Sequence, residues 1–238
     1  MMRLLTSRIK CGNTWFTHFY LCPYLPMMTG TDALSLSLLK FKQRVQPDLG
    51  AWIDCAAQLL GQLPFSSDTI IIRALRHDET NVRPDFPSAL DLLGHSLALH
   101  LRCRYLPTLL IKSRPTLPNK YLTRRSRRSQ LQDVYHVTPD HSFLTSSAPD
   151  HSFLTSPTPD QPLPAPSPPF LIIDDILTTG NTMRTLINTI RRDYNPASPI
   201  RTFTLTRAGY SRQTHPMTAG DKNILPHSLL HPFFANTV

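Results

Sequence analysis

Apolar positions recur along this chain in two periods, and the two periods alternate. Leu34, Leu36, Leu38, Leu39 and Phe41 follow Asp32, a residue able to cap a helix, and predict a first helix. Pro47 and Asp48 open a second, in which Trp52, Ile53, Ala56, Leu59, Leu60 and Leu63 return at helical spacing. Thr69-Ile-Ile-Ile72 is a β-branched run and predicts a short buried strand ending at Arg73-Ala-Leu-Arg76. Ser88, with Asp91 after it, makes a capping box for a helix whose apolar side is Leu90, Leu93, Leu97 and Leu101. Leu109-Leu-Ile111 predicts a strand, Thr123 caps a basic helix reaching about Leu131, and Val134-Tyr-His-Val137 predicts another strand. Phe170-Leu-Ile-Ile173 is a continuous apolar strand. Met183, Leu186, Ile187 and Ile190 then mark a helix that ends on Arg191 and Arg192, cations suited to a helix C-terminus. Ile200 to Arg207 alternates and is rich in Thr, as a strand would be. Strands alternating with helices imply an α/β domain built on a mainly parallel, twisted sheet flanked by helices.

One segment interrupts the pattern. Pro139-Asp-His-Ser-Phe-Leu-Thr-Ser146 recurs as Pro149-Asp-His-Ser-Phe-Leu-Thr-Ser156, and a third copy begins at Pro159 and dissolves into a run of prolines. Such Pro/Ser/Thr-rich sequence buries too little apolar area to offset the ordering of its backbone. Residues 138–168 therefore read as a disordered insertion of decapeptide repeats. His141 and His151 inside it read as duplicated exposed side chains, since no second ligand lies near either. Residues 28–137 and 169–210 form the domain, and 211–238 a polar, Pro-broken peripheral tail. Residues 1–27 carry basic and aromatic side chains but no acid before Asp32, and lack a clean apolar core for a signal peptide. The reading here is an N-terminal extension, disordered or not native, with translation starting at Met27 or Met28.

Composition adds limits. The chain has 238 residues, 40% of them hydrophobic, enough for one domain with a real core. The net charge of +9 favours anionic partners, and Arg124, Arg125, Arg127 and Arg128 crowd into one short segment. The cysteines Cys11, Cys22, Cys55 and Cys103 form no CxxC pair, which argues against a structural zinc site, and buried or free thiols in a reducing cytoplasm are expected. No apolar run reaches the ~18 residues a membrane span needs.

The strongest chemical signal lies where the apolar strand from Phe170 meets Asp174-Asp175 and then Thr178-Thr-Gly-Asn-Thr182. A buried strand, a tight loop and a helix start make a phosphate cradle, because the first amides of a helix are unpaired and carry partial positive charge. Gly180 lets backbone approach a phosphate, and Thr178, Thr179 and Thr182 add hydroxyl donors beside Asn181. Two acids at the end of an apolar strand must be solvated, paired or functional. Beside a phosphate cradle, holding adjacent sugar hydroxyls is a job that suits them, since a carboxylate accepts from two O–H groups.

Phe170 to Thr182 resembles the phosphoribosyl pyrophosphate (PRPP) signature of type I phosphoribosyltransferases: four hydrophobics, two acids, two hydrophobics, then Thr-Thr-Gly-x-Thr. The resemblance implies that Asp174 and Asp175 hold the ribose 2′- and 3′-hydroxyls as the catalytic acids, and that Thr178, Thr179, Gly180, Asn181 and Thr182 hold the 5′-phosphate. It also implies Mg²⁺, bound mainly through substrate and water rather than by protein ligands. A second stretch, Arg114-Pro-Thr-Leu-Pro-Asn119 with Leu122-Thr123, Arg127-Arg128, Gln130-Leu131 and Val134-Tyr135, is similar to the competence-associated ComF-like group. That similarity implies a mobile loop from which Arg114, Arg127 and Arg128 reach pyrophosphate. The pyrophosphate loop departs from that group's pattern: Ile72-Arg-Ala-Leu-Arg76 stands there, with Arg73 and Arg76 as candidate ligands.

Three functions follow as expectations. The first is a Mg²⁺-dependent phosphoribosyltransferase acting on PRPP and an unidentified nucleobase or amine acceptor. The second is a PRPP- or nucleotide-sensing module without turnover. The third is a competence-type accessory protein whose basic segment handles single-stranded DNA. A cytoplasmic setting goes with all three, and a homodimer is left open.

Overall fold

In the computed structural model, residues 3–24, 33–117, 126, 129–138 and 167–208 are described. Residues 139–166 of the repeat insertion, the tail, Asp32, Thr123, Arg124, Arg125, Arg127 and Arg128 lie outside them. The chain runs β1 (Leu5–Cys11), β2 (Thr14–Tyr24), α1 (Ala33–Lys42), α2 (Asp48–Leu60), β3 (Ile70–Arg73) and α3 (Ala89–Leu101). It continues through β4 (Arg104–Tyr105), β5 (Leu110–Lys112), β6 (Tyr135–Val137), β7 (Phe170–Leu177), α4 (Asn181–Asp193) and β8 (Ile200–Ala208).

Six strands form one sheet in the order β1-β2-β8-β7-β3-β4. All of its pairings are parallel except the β1–β2 hairpin. The β5–β6 pair is a separate antiparallel ribbon. Because side chains alternate along a strand, each central strand feeds two cores. Ile70, Ile72, Phe170 and Ile172 face α4 and the β5–β6 ribbon. Ile71, Leu171, Ile173, Phe203 and Leu205 face α1, α2 and α3. The sheet is thus covered on both sides, as a parallel sheet of continuous apolar strands requires. The expected capping box of α3 is present: the Ser88 hydroxyl accepts from the Asp91 amide, and Asp91 accepts from the Ser88 amide.

Residues 5–24 correct the reading of the N-terminal segment as a disordered extension. They form the β1–β2 hairpin, and β2 runs parallel to β8, extending the sheet. Ile9, Cys11 and Phe16 join one core and Phe19 and Leu21 the other. The turn is Gly12-Asn13, with Gly12 at φ +57°, a conformation that suits glycine in a two-residue hairpin loop.

The Thr-rich face of β8 is buried rather than solvated. Thr202, Thr204 and Thr206 are fully covered, and so is His18 of β2. Their polar atoms satisfy one another: His18 Nδ1 lies 2.9 Å from the Thr202 hydroxyl, His18 Nε2 lies 3.2 Å from that of Thr204, and Thr204 donates to the Thr206 carbonyl at 2.8 Å. This seam reaches the acid pair, where the Thr206 hydroxyl lies 3.5 Å from the Asp175 carbonyl.

Burial, with the positive charge of Arg207 adding to it, pushes the His18 pKa down to about 3. The unfolded chain therefore binds the proton more readily. The contribution of His18 to stability is complete above about pH 6.5 and is lost as pH falls towards the folded value. Between about pH 6 and pH 4, the wild type is expected to lose on the order of 2 kcal/mol more unfolding free energy than His18→Gln. Denaturant titrations across that range check it.

Candidate functional site

The site lies at the carboxyl ends of β3 and β7, adjacent strands in parallel register. Loops leaving such neighbouring ends face a common crevice, the usual place for a ligand on an open α/β sheet. A cavity of about 840 Å³ opens there. Its walls are the 74–79 loop, Asp174, Asp175, Thr178 and Thr182, with Phe41 and Lys42 from the end of α1, Lys112 and Tyr135 from the ribbon, and Gln130 before β6. A cavity of this size suits a nucleotide-sized ligand.

The structure brings most of the sequence-predicted residues together. Asp174 and Asp175 stand half-buried on β7, which runs to Leu177 and so extends past the apolar stretch that announced it. The Asp175 amide donates to Asp174 Oδ1 at 2.9 Å. Burial, reinforced by the charge of Asp175, pushes the Asp174 pKa up to about 7, while Lys42 and Lys112 pull it down. Asp174 thus keeps its proton to higher pH than an ordinary carboxyl, and a neutral carboxyl is both a donor and an acceptor towards a sugar hydroxyl.

Thr178 to Thr182 form the turn into α4. Gly180 precedes the helix at φ +73°. A Cβ there would meet nothing closer than 3.6 Å, so the requirement is conformational rather than one of space. Gly180→Ala is expected to cost about 1 kcal/mol, with Gly180→Asn intermediate because Asn tolerates this conformation. Thermal melts of the two variants test the order.

The amino terminus of α4 has no side-chain cap and no acid in its first turn, in contrast to the boxed start of α3. Its first amides thus keep their anion-binding capacity. Arg184 braces the turn from the other side, donating to the Thr179 carbonyl at 2.8 Å and to the Lys10 carbonyl at 3.0 Å. The hollow over residues 178–183 holds about 20 Å³, roughly one water. A phosphate would thus rest on the open face of the turn rather than inside it.

The arginines divide. Arg76 lines the cavity, with its exposed guanidinium against Asp78. Arg114 is exposed and does not border the cavity. Arg73 requires a correction as a pyrophosphate candidate: it is only 1% exposed and is fully paired. Its Nε meets Asp91 at 2.5 Å, and its two terminal nitrogens fork onto Glu79 at 2.7 and 3.1 Å. Burial opposes its charge, but the hydrogen bonds and charges of Glu79 and Asp91 more than offset this and hold its pKa above the ordinary value. A buried guanidinium needs such partners, and in the folded chain they occupy its fork.

Two lysines were not singled out from the sequence. Lys42, at the end of α1, pairs with Asp175 at 2.7 Å across the crevice. Lys112 is buried, donates to the Leu75 and Arg76 carbonyls at 3.2 and 2.5 Å, and lies 5.2 Å over the Tyr135 ring. Burial lowers its pKa to about 8, against the pull of Glu79, Asp78 and Asp174. A lysine closing the apolar run Leu109-Leu-Ile111 was the available signal.

No group of three or more potential metal ligands converges among the described residues. The carboxylate oxygens of Asp174 and Asp175 are hard donors suited to Mg²⁺, but two residues are too few for a protein cage. All four cysteines are unbridged. Among the described residues, no helix is long and apolar enough to cross a membrane.

No protein-family model matches the sequence, and neither does any curated protein. Among solved structures, the adenine phosphoribosyltransferase of Trypanosoma brucei, crystallised with AMP, pyrophosphate and ribose 5-phosphate, is similar at a TM-score of 0.40. The two are 11% identical over 97% of this chain and 99% of that one. A likeness that slight fixes neither ligand nor reaction.

Proposed function

We propose that this chain binds a 5′-phosphorylated ribose at the carboxyl end of β7, with PRPP and Mg²⁺ as its working ligands, and transfers the phosphoribosyl group to or from an acceptor. The observation that carries the reading is the conjunction of the acid pair with the uncapped start of α4 on one cavity wall. The resemblance of Phe170 to Thr182 to the PRPP signature supports it independently of the geometry.

In this reading the amides of the 178–182 turn, with the hydroxyls of Thr178, Thr179 and Thr182, hold the 5′-phosphate. Asp174 and Asp175 hold the ribose hydroxyls and face the positive charge that develops on the ring as the C1 bond breaks. Lys42 holds the Asp175 side chain in place across the crevice. Mg²⁺, carried in by the ligand and touching at most Asp174 and Asp175, would neutralise pyrophosphate charge. The remaining contribution of the protein is positioning and electrostatic stabilisation.

Release of pyrophosphate from PRPP and Mg²⁺, assayed against a panel of nucleobases and amines, tests transfer. PRPP binding without turnover on any acceptor would favour the second reading, a sensing module. A specific observation already leans that way: Arg73 and the Arg76 amide, the donors of the 73–76 loop, are both held by Glu79.

A further inference from the structure

Glu79, on the loop that follows β3, lines the same cavity as the acid pair and the turn into α4. Its carboxylate accepts from the Arg76 amide at 2.7 Å and from both terminal nitrogens of Arg73 at 2.7 and 3.1 Å. A guanidinium fork beside a free backbone amide is a donor set made for phosphoryl oxygens. Here that set already holds an anion, and the anion belongs to the chain.

The surroundings keep it there. Arg73 is anchored from behind by Asp91, which also accepts from the Tyr105 hydroxyl at 2.7 Å and from the Ser88 hydroxyl at 2.7 Å. The loop carbonyls are engaged too: Leu75 and Arg76 by Lys112, and Leu75 by the Tyr135 hydroxyl at 3.2 Å. The 74–79 loop is therefore shaped around Glu79 without any ligand. It shares the cavity with Asp174, Thr178 and Thr182, so a ligand that spans the cavity from the acid pair to this loop meets the Glu79 carboxylate. Asp78, beside it, is paired with the Arg76 guanidinium at 3.3 Å, which draws that side chain away from Glu79.

We infer that Glu79 is an intrinsic anion that sets the ligand preference of the site. A 5′-phosphorylated ribose with no pyrophosphate at C1, such as ribose 5-phosphate or a nucleoside 5′-monophosphate, binds without disturbing it. PRPP has to displace it from the Arg76 amide and meets its charge. The site thus favours the monophosphate side of a phosphoribosyl transfer over the PRPP side. This inference rests on the phosphoribose reading of the β7 loop and adds to it a preference among ligands.

Calorimetry of the full chain with ribose 5-phosphate, and with PRPP plus Mg²⁺, provides the test, on wild type and Glu79→Gln. The expected result is that the wild type binds ribose 5-phosphate at least as tightly as PRPP. Glu79→Gln should tighten PRPP about tenfold and leave ribose 5-phosphate within about twofold. A wild-type preference for PRPP of about tenfold or more, or a PRPP affinity that Glu79→Gln does not move, would overturn the inference. The wild-type ratio needs no variant, so it decides the matter even if Glu79→Gln fails to fold. Wild-type binding of neither ligand would overturn the phosphoribose reading itself, and the inference with it.

Discussion

Asp174→Asn is expected to raise the melting temperature above about pH 7 by on the order of 5 °C while weakening phosphoribose binding. The folded chain holds the Asp174 proton up to about pH 7, chiefly through burial and then through the neighbouring Asp175 charge. The unfolded chain releases it near the ordinary carboxylate value of about 4. Between those limits the native state binds more protons, so stability falls as pH rises and the full penalty is present by about pH 8. Taken whole, that difference is ~4 kcal/mol; water reaching a half-buried carboxyl discounts it to ~2 kcal/mol. Asparagine removes the charge and keeps the oxygen that accepts from the Asp175 amide. Melting curves of wild type and variant across pH 4 to 8 should converge at the acid end and diverge at the alkaline end. A residue that costs stability where it sits is best explained by what it binds. Equal melting temperatures at the alkaline end would remove that support.

The second large effect concerns Arg73. Arg73→Ala is expected to cost about 3–5 kcal/mol, because it leaves the carboxylates of Asp91 and Glu79 facing each other inside the fold with no cation between them. Arg73→Lys should recover only part of this, since a single ammonium cannot fork onto Glu79 and reach Asp91 at once. Urea titration measures both. Had Arg73 been a pyrophosphate ligand, the same substitution would leave stability nearly intact and weaken PRPP binding instead. That pattern would reverse the correction made above.

The parts legible in the sequence were those governed by local period and local chemistry. The Ser88–Asp91 box, the apolar stripe from Trp52 to Leu60 and the strand from Phe170 all depend on near neighbours, and all are present. The β1–β2 hairpin was missed because its basic, aromatic composition outweighed its pattern. Yet Gly12-Asn13 between two alternating runs was a hairpin signal. Long-range pairing was the real limit. Arg73 looked like a free cation at a loop because its partners, Glu79 and Asp91, come together only in the fold. The Lys42–Asp175 pair crosses more than half the chain, and nothing local announces it. The acid pair and the Thr178–Thr182 turn were readable because strand, loop and helix start are contiguous, so one stretch of sequence carries nearly the whole constellation.

The reading of the site stands or falls on whether the acid pair and the turn grip one phosphoribose. Calorimetry with PRPP and Mg²⁺, and with ribose 5-phosphate, on wild type and on the double variant Asp174→Asn/Asp175→Asn measures this directly. The account predicts saturable heat for the wild type and at least a hundredfold weaker binding, about 3 kcal/mol, for a double variant that remains folded. Equal affinities in the two proteins would contradict it.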